Sequence, residues 1–221
     1  MSHRPGYRAV IFDLDGTLLD TLEDIGDSMN VTLERMGFPT HLIRAYRYLT
    51  GDGVTRLAER SLPAASKDES TMSTCIREFR AEYAKRFFNK TRPFPGIPGL
   101  LDELTRRAVR LNILSNKMDE FTKLAADKLL TRWEFDVVMG AHPDVPQKPN
   151  PAGALLIAQR LAIEPSEFAY LGDTDTDMKT AVQAGMFPVG ALWGFREEEE
   201  LWESGAEAVV KSPGEFLRFF E

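Results

Sequence analysis

The sequence predicts an α/β fold, a doubly wound parallel-sheet (Rossmann-like) core with an all-helical segment inserted after its first strand. Three observations carry this expectation. A short apolar run, Ala9-Val-Ile-Phe, ends abruptly in Asp13-Leu-Asp15-Gly16-Thr17. Residues 20–92 then give helical signals alone, with apolar positions three and four apart. From about residue 100 onward, apolar strands alternate with amphipathic helices, the pattern of a parallel sheet covered on both faces.

The first strand, Ala9–Phe12, is rich in β-formers, and Gly16 lets the backbone turn sharply behind it. The strand therefore delivers Asp13 and Asp15 to its own C-terminal end. In an open α/β sheet, the crevice beyond the strands' carboxyl ends takes the ligand. Two carboxylates this close repel unless a cation or protons share them, and Mg²⁺, which prefers hard oxygen ligands, is the simplest partner. An ordinary Asp-Gly turn is the plainer alternative at this point.

Asp20 is expected to cap the next helix, with Glu23 three residues on and Leu22, Ile25, Met29 and Leu33 on its apolar face. Gly37 and Pro39 end it. Helices are expected at 41–49, 54–62 and 68–88, the last with Ile76, Phe79, Tyr83, Phe87 and Phe88 on one side. Residues 91–99 hold three prolines and two glycines and read as a stiff linker back to the sheet. The expected division is a core of 1–19 and 93–221 with a helical cap at 20–92.

Beyond the linker, helices are expected at 100–108, 118–130, 151–161 and 175–184, with proline opening the third and Gly185 closing the fourth. Strands are expected at 109–114, 135–139, 168–172 and 187–192. A short helix starting near the acidic 197–200, a strand at 208–210 and a final helix complete the chain.

Composition narrows the partners. With 221 residues, 43% of them hydrophobic, the chain can bury a substantial core. A net charge of −7 disfavours a nucleic-acid surface, which selects Lys and Arg. The single cysteine, Cys75, allows neither an intrachain disulfide nor a thiolate metal site, as suits a reducing compartment. The stretch Met1–Val10 has no long apolar segment behind its basic residues, and no run approaches the ~18 apolar residues of a membrane span. The expectation is a cytoplasmic protein with a small-molecule substrate, no nucleic acid and no membrane; the sequence is silent on oligomeric state.

Three later stretches also put polar residues where strands end. Ser115-Asn116-Lys117 follows the strand at 109–114, where a hydroxyl and helix-start amides can hold phosphoryl oxygens, although a plain capping serine fits as well. Lys148 sits in Gln147-Lys148-Pro149-Asn150-Pro151, a rigid turn that can aim an ammonium group at an anion; a surface lysine is the alternative. The strand at 168–172 runs into Gly172-Asp173-Thr174-Asp175-Thr176-Asp177. Asp173 stands where a metal ligand would stand, Asp177 is four residues on and so on the same helical face, and Asp175 is expected to face solvent.

Asp13-Leu-Asp15-Gly-Thr, Ser115-Asn116, Lys148-Pro149 and Gly172-Asp173 to Asp177, in that order, resemble the four motifs of the haloacid dehalogenase-like hydrolase superfamily, and the helical segment resembles its mobile cap. Gly51-Asp-Gly53 and Gly190-Ala-Leu-Trp193-Gly194-Phe195-Arg196 resemble the phosphoglycolate phosphatase-like branch, with packing aromatics and a glycine turn as the plainer account. The resemblance implies that Asp13 attacks phosphorus and forms an aspartyl-phosphate, while Asp15 protonates the leaving oxygen and then activates water. It implies Mg²⁺ held by Asp13, the backbone carbonyl of Asp15 and Asp173, with Asp177 behind them. Ser115, Asn116 and Lys148 would neutralise phosphoryl oxygens, and cap residues near Gly51 and Gly53 would select the leaving group. Arg56 or a neighbouring base is a weaker candidate for holding a substrate carboxylate.

The expected activity is Mg²⁺-dependent hydrolysis of a small phosphorylated metabolite, phosphoglycolate first. Members that cleave carbon–halogen or carbon–phosphorus bonds typically lack an acid at the position of Asp15. A phosphosugar mutase also needs that acid and stays open, as does, more distantly, a phospho-accepting regulatory domain, which has no use for a cap or a proton shuttle.

Overall fold

The structure is a computed structural model and describes residues 6–221; His3, Arg4 and Pro5 of the amino-terminal stretch lie outside the described residues. In chain order the elements are β1 (Ala9–Phe12), β2 (Leu19–Asp20), α1 (Leu22–Arg35), α2 (Tyr46–Leu49), α3 (Gly53–Ser61), α4 (Glu69–Arg86) and β3 (Arg92–Pro93). There follow α5 (Ile97–Arg106), β4 (Arg110–Met118), α6 (Asp119–Leu129), β5 (Val137–Ala141), α7 (Ala152–Leu161), β6 (Phe168–Gly172), α8 (Asp175–Ala184), β7 (Phe187–Ala191), α9 (Glu198–Glu203) and β8 (Ala208–Val210). The final helix expected at the end of the chain is a 3₁₀ helix, Pro213–Phe220. Its tight turn brings the rings of Phe216 and Phe219 within 5.8 Å of each other, edge to face.

Six strands form one parallel sheet in the order β5-β4-β1-β6-β7-β8. β1 lies at its centre because its residues are apolar on both sides. Val10 and Phe12 join Leu111, Ile113 and Leu171 in the core under α5, α6 and the closing 3₁₀ helix, whereas Ala9 and Ile11 join Phe168 and Tyr170 under α7 and α8. Strand order reverses between β1 and β6, so the crevice of this sheet opens at their carboxyl ends.

The helices between β2 and β3 have a core of their own, built on Ile25, Met29, Leu33, Tyr46, Leu57, Phe79, Tyr83 and Phe87. Its two connections to the sheet pair as an antiparallel ribbon, with Leu19 opposite Pro93 and Asp20 opposite Arg92. The ribbon corrects two expectations. Asp20 does not cap α1, because it is paired in the ribbon and approaches Arg92 at 3.6 Å; the cap position belongs to Thr21, without a side-chain bond. The stretch read as linker is instead anchored by buried Asp24, whose carboxylate accepts from the amides of Lys90 and Thr91 and from Thr91 Oγ1 at 2.7 Å.

β4 also runs further than its hydropathy suggests. Its pairing with β5 shifts register between Leu114 and Met118, and α6 begins only at Asp119. Among the described residues, no helix is long and apolar enough to cross a membrane.

Candidate active site

The centre of the site is assembled from two strand ends, a helix start and a loop. Asp13 follows β1 and Asp173 follows β6, side by side where the strand order reverses. Gly16 turns the first loop back with φ +89°, and a Cβ there would overlap the Asp173 carboxylate. Gly172 likewise leaves room for Asp177, which folds back as the third residue of α8. Its Oδ2 accepts from Thr174 N at 3.1 Å and Thr174 Oγ1 at 2.7 Å, a reciprocal cap.

Lys148, buried on the loop before α7, bridges two of these acids. Its Nζ donates to Asp177 Oδ1 at 2.6 Å and lies 2.9 Å from Asp13 Oδ1 without being aligned on it as a donor. Its main chain is braced by Asn116, whose Oδ1 accepts from Lys148 N at 2.9 Å and whose Nδ2 donates to Lys148 O at 3.0 Å.

One ligand atom from each of Asp13, Asp173 and Asp177 can be chosen so that all lie within 4.8 Å of one another. Burial pushes the Asp13 carboxyl up to about 7; Lys148 opposes the shift and Asp177 adds to it. Asp173 is raised well above the carboxylate range by burial, then by Asp13 and Asp177. Burial works against the Lys148 charge, yet Asp13 and Asp177 hold its ammonium well above the usual lysine range. The cluster thus carries more negative charge than one lysine balances. Asp13 Oδ1 has no aligned donor, and the Asp173 oxygens have one each, Thr17 Oγ1 and Phe195 N, both at 2.8 Å. An all-oxygen set with open lone pairs fits a hard divalent cation such as Mg²⁺.

Asp15 turns toward a different cation. Both its oxygens lie 2.9 Å from Lys117 Nζ, which also donates to Tyr83 Oη at 2.7 Å. Tyr83 belongs to α4, so an inserted helix reaches the second acid of the first motif. Burial opposes the Lys117 charge, but Asp15 and Tyr83 hold its ammonium above the usual range; burial keeps the phenol neutral, pushing it up to about 12.

A cavity of about 60 Å³ separates these groups from the inserted helices. Its floor is Asp13, Asp15, Ser115, Asn116, Lys117 and Met118; its roof is Ile25, Thr50, Gly51, Gly53, Val54, Leu57, Phe79 and Tyr83.

A family model for haloacid dehalogenase-like hydrolases matches residues 10–191. The chain belongs to the haloacid dehalogenase-like hydrolase family. It is 32% identical to a phosphoglycolate phosphatase of Aquifex aeolicus (strain VF5), across 85% of this chain and 86% of the relative. It is 30% identical to one from Nitrosospira multiformis, across 93% and 92%. A haloacid dehalogenase-like family hydrolase from Streptococcus pneumoniae superposes with a TM-score of 0.88 at 25% identity, covering 97% of this chain and 99% of that one. The family's phosphoglycolate phosphatase-like branch is therefore the one this chain resembles.

Of the residues expected at the site, the structure brings Asp13, Asp15, Asp173, Asp177, Lys148 and Ser115 to one place, with Gly51 and Gly53 across the cavity. One expectation needs correction. Ser115 is not at a helix start, because β4 continues past it; its Oγ accepts from Lys117 N at 3.3 Å. Asn116, expected to meet substrate, lines the cavity and also braces it, donating to Lys148 O and to Gly51 O at 3.3 Å and accepting from Lys148 N. Arg56 is exposed and paired with Glu59. Asp175, expected to face solvent, forms a surface pair with Lys179 at 2.6 Å.

Sequence reasoning missed Lys117, Tyr83, Thr17 and the role of residues 193–196. Trp193 Nε1 donates to Thr17 O at 2.9 Å, Phe195 N holds Asp173, and a Cβ on Gly194 would overlap Asp173. The same loop is clasped by the inserted segment. Arg47 donates to Gly194 O at 2.7 Å and Phe195 O at 3.1 Å, and Arg196 donates back to Thr50 O at 3.1 Å and to Arg47 O. The Trp-Gly-Phe-Arg run was the available signal.

Proposed function

We propose that the protein is a Mg²⁺-dependent phosphatase that hydrolyses a small phosphate monoester through an aspartyl-phosphate on Asp13. The observation that carries this is the buried trio Asp13, Asp173 and Asp177 at the reversal of strand order, with Lys148 bridging Asp13 and Asp177. Asp13, the Asp15 main-chain carbonyl and Asp173 would hold Mg²⁺, with Asp177 fixed behind them by Thr174. When bound, the ion would neutralise phosphoryl charge as a Lewis acid.

Every other role falls to the chain itself. Lys148 holds Asp13 in place and offers positive charge to an anion that a bare carboxylate would repel. Asp13, buried at the floor of the cavity, is the nucleophile. Asp15 passes its proton to the leaving oxygen and takes one from the water that cleaves the acyl phosphate, and Lys117 fixes its carboxylate for both steps. The Ser115 hydroxyl is free to donate to a phosphoryl oxygen. We read residues 20–92 as a cap whose closure completes the cavity.

Phosphate release from a panel of phosphorylated metabolites, with and without Mg²⁺, tests the proposal. Phosphoglycolate, named for the relatives above, is the first substrate. Turnover that needs Mg²⁺ and no second phosphate donor is expected. Strict dependence on a bisphosphate activator would assign a mutase instead, and one stoichiometric phosphorylation without release would assign a regulatory acceptor.

A further inference from the structure

β6 carries one side chain that packing alone does not account for. Its residues alternate between two cores, and Phe168 and Tyr170 lie on the side under α7 and α8, neither with any exposed surface. Phenylalanine fills such a position without burying a polar group. Tyr170 brings a hydroxyl, and among the described residues its Oη has no aligned hydrogen-bond partner. A buried hydroxyl left in that state works against the fold that holds it.

Of the charges that act on this hydroxyl, that of Lys148 is the largest, followed by Asp177 and Asp13. Lys148 Nζ stands 6.0 Å from the centre of the Tyr170 ring. Burial raises the phenol well above its usual range, so it stays neutral and keeps its oxygen as an acceptor. Lys148 in turn is short of acceptors. Its side chain is 3% exposed and its ammonium has three N–H bonds. One is aligned on Asp177 Oδ1 at 2.6 Å, and the contact with Asp13 Oδ1 at 2.9 Å is one of charge without alignment. Tyr170 does not line the cavity, so whatever it does for a ligand passes through Lys148.

We infer that Tyr170 is a positioning residue for Lys148, its hydroxyl oxygen accepting an N–H of the ammonium once Asp13 is committed to phosphorus. The inference rests on the phosphatase reading and deepens it. In that reading an Asp13 oxygen bonds to phosphorus while the bond to the leaving oxygen breaks, and Asp15 gives that oxygen its proton. Asp13 thereby loses the charge that draws Lys148. Asp177 alone would leave the ammonium free to swing off the phosphoryl group, and the phenol supplies a second support. Being uncharged, it does so without competing with the phosphoryl oxygens for the cation.

Tyr170→Phe removes the hydroxyl and keeps the ring. The assay is phosphate release with Mg²⁺ from 2-phosphoglycolate or p-nitrophenyl phosphate, whichever the unaltered protein turns over faster. kcat should fall at least about tenfold, the scale of one hydrogen bond to a charged group. KM should stay within about twofold, because Asp13 still holds Lys148 before attack. The thermal midpoint should hold or rise as the unpaired hydroxyl is lost. Phe168→Leu, on the same face of β6, should lower the midpoint and leave kcat unchanged. Full kcat in Tyr170→Phe, or a loss confined to KM, would overturn the inference and leave the phosphatase reading standing. An equal fall of kcat in Phe168→Leu would assign the effect to packing and overturn it too. Release from neither ester by the unaltered protein would overturn the phosphatase reading together with it.

Discussion

Asp13, Asp15 and Lys117 line the floor of the cavity, with buried Asp173, Asp177 and Lys148 clustered around Asp13, while across it the inserted helices present Ile25, Val54, Leu57 and Phe79. The floor is shaped by what phosphoryl transfer needs and works against the stability of the chain that carries it, since its acids are held at raised values by burial and mutual repulsion. The roof is part of an ordinary apolar core and stabilises the fold as any such core does. On the proposed mechanism, one side of the cavity would set rate and the other choice. Substitutions on the two sides should separate these quantities.

Asp13→Asn is the largest expected effect. It removes the attacking oxygen's charge, and kcat should fall by at least about 10⁴-fold, the scale on which loss of a nucleophile is felt. It also relieves the buried repulsion with Asp173 and Asp177, so the thermal midpoint of the metal-free protein should hold or rise. A lowered midpoint would show that the floor supports the fold and would break the contrast.

Lys148→Met comes next. It leaves Asp13 and Asp177 buried without their shared cation, which should cost about 3–5 kcal/mol in urea unfolding in addition to a large fall in kcat. Retained stability would mean that the two acids take up protons in its place.

The third prediction concerns pH and Mg²⁺. Asp13 and Asp173 have values raised above those of the unfolded chain, so the folded state keeps protons that the unfolded state releases. Their contribution to stability is present below about pH 4 and is lost as pH rises toward 7 and beyond. Mg²⁺ favours the ionised carboxylates, and should raise the melting temperature more at pH 8 than at pH 5.5. At a hundredfold excess over its Kd the gain at the higher pH is about 2.7 kcal/mol, or roughly 5–10 °C for a chain of this size. An equal rise at both pH values would count against binding at these acids.

Tyr83→Phe is the smallest and tests a polar link between the two sides. Loss of the acceptor for Lys117 should cost about 1 kcal/mol and lower kcat severalfold on alkyl esters, leaving the order of preferred substrates unchanged. A changed order would mean that the phenol belongs to the selecting surface.

The floor was more legible in the sequence than the roof, for a physical reason. Asp13 and Asp173 each follow an apolar strand directly, and a strand end in a parallel sheet has one place to point, so two local patterns met in space once the sheet formed. Asp177 was legible from helical spacing. The pairing of Asp15 with Lys117 and Tyr83 joins three segments far apart in the chain and depends on how the inserted helices sit on the sheet, which periodicity does not encode. The end of β4 was misplaced because hydropathy drops at Ser115, while the strand runs on through an irregularity and pairs again with β5 at Met118. Asp20 was misassigned because its cap-like spacing competed with a ribbon formed only when Arg92 returns to it. The roof residues were legible as apolar helix faces, yet spacing alone did not distinguish positions facing the cavity from those facing neighbouring helices.

The peptide at Phe195 belongs to both halves of the molecule. Its carbonyl is gripped by Arg47 from the inserted helices, and its amide steadies a carboxylate of the acid trio. On the proposed reading, any opening of the inserted helices would pull on that peptide, and through it on a carboxylate that would hold the ion.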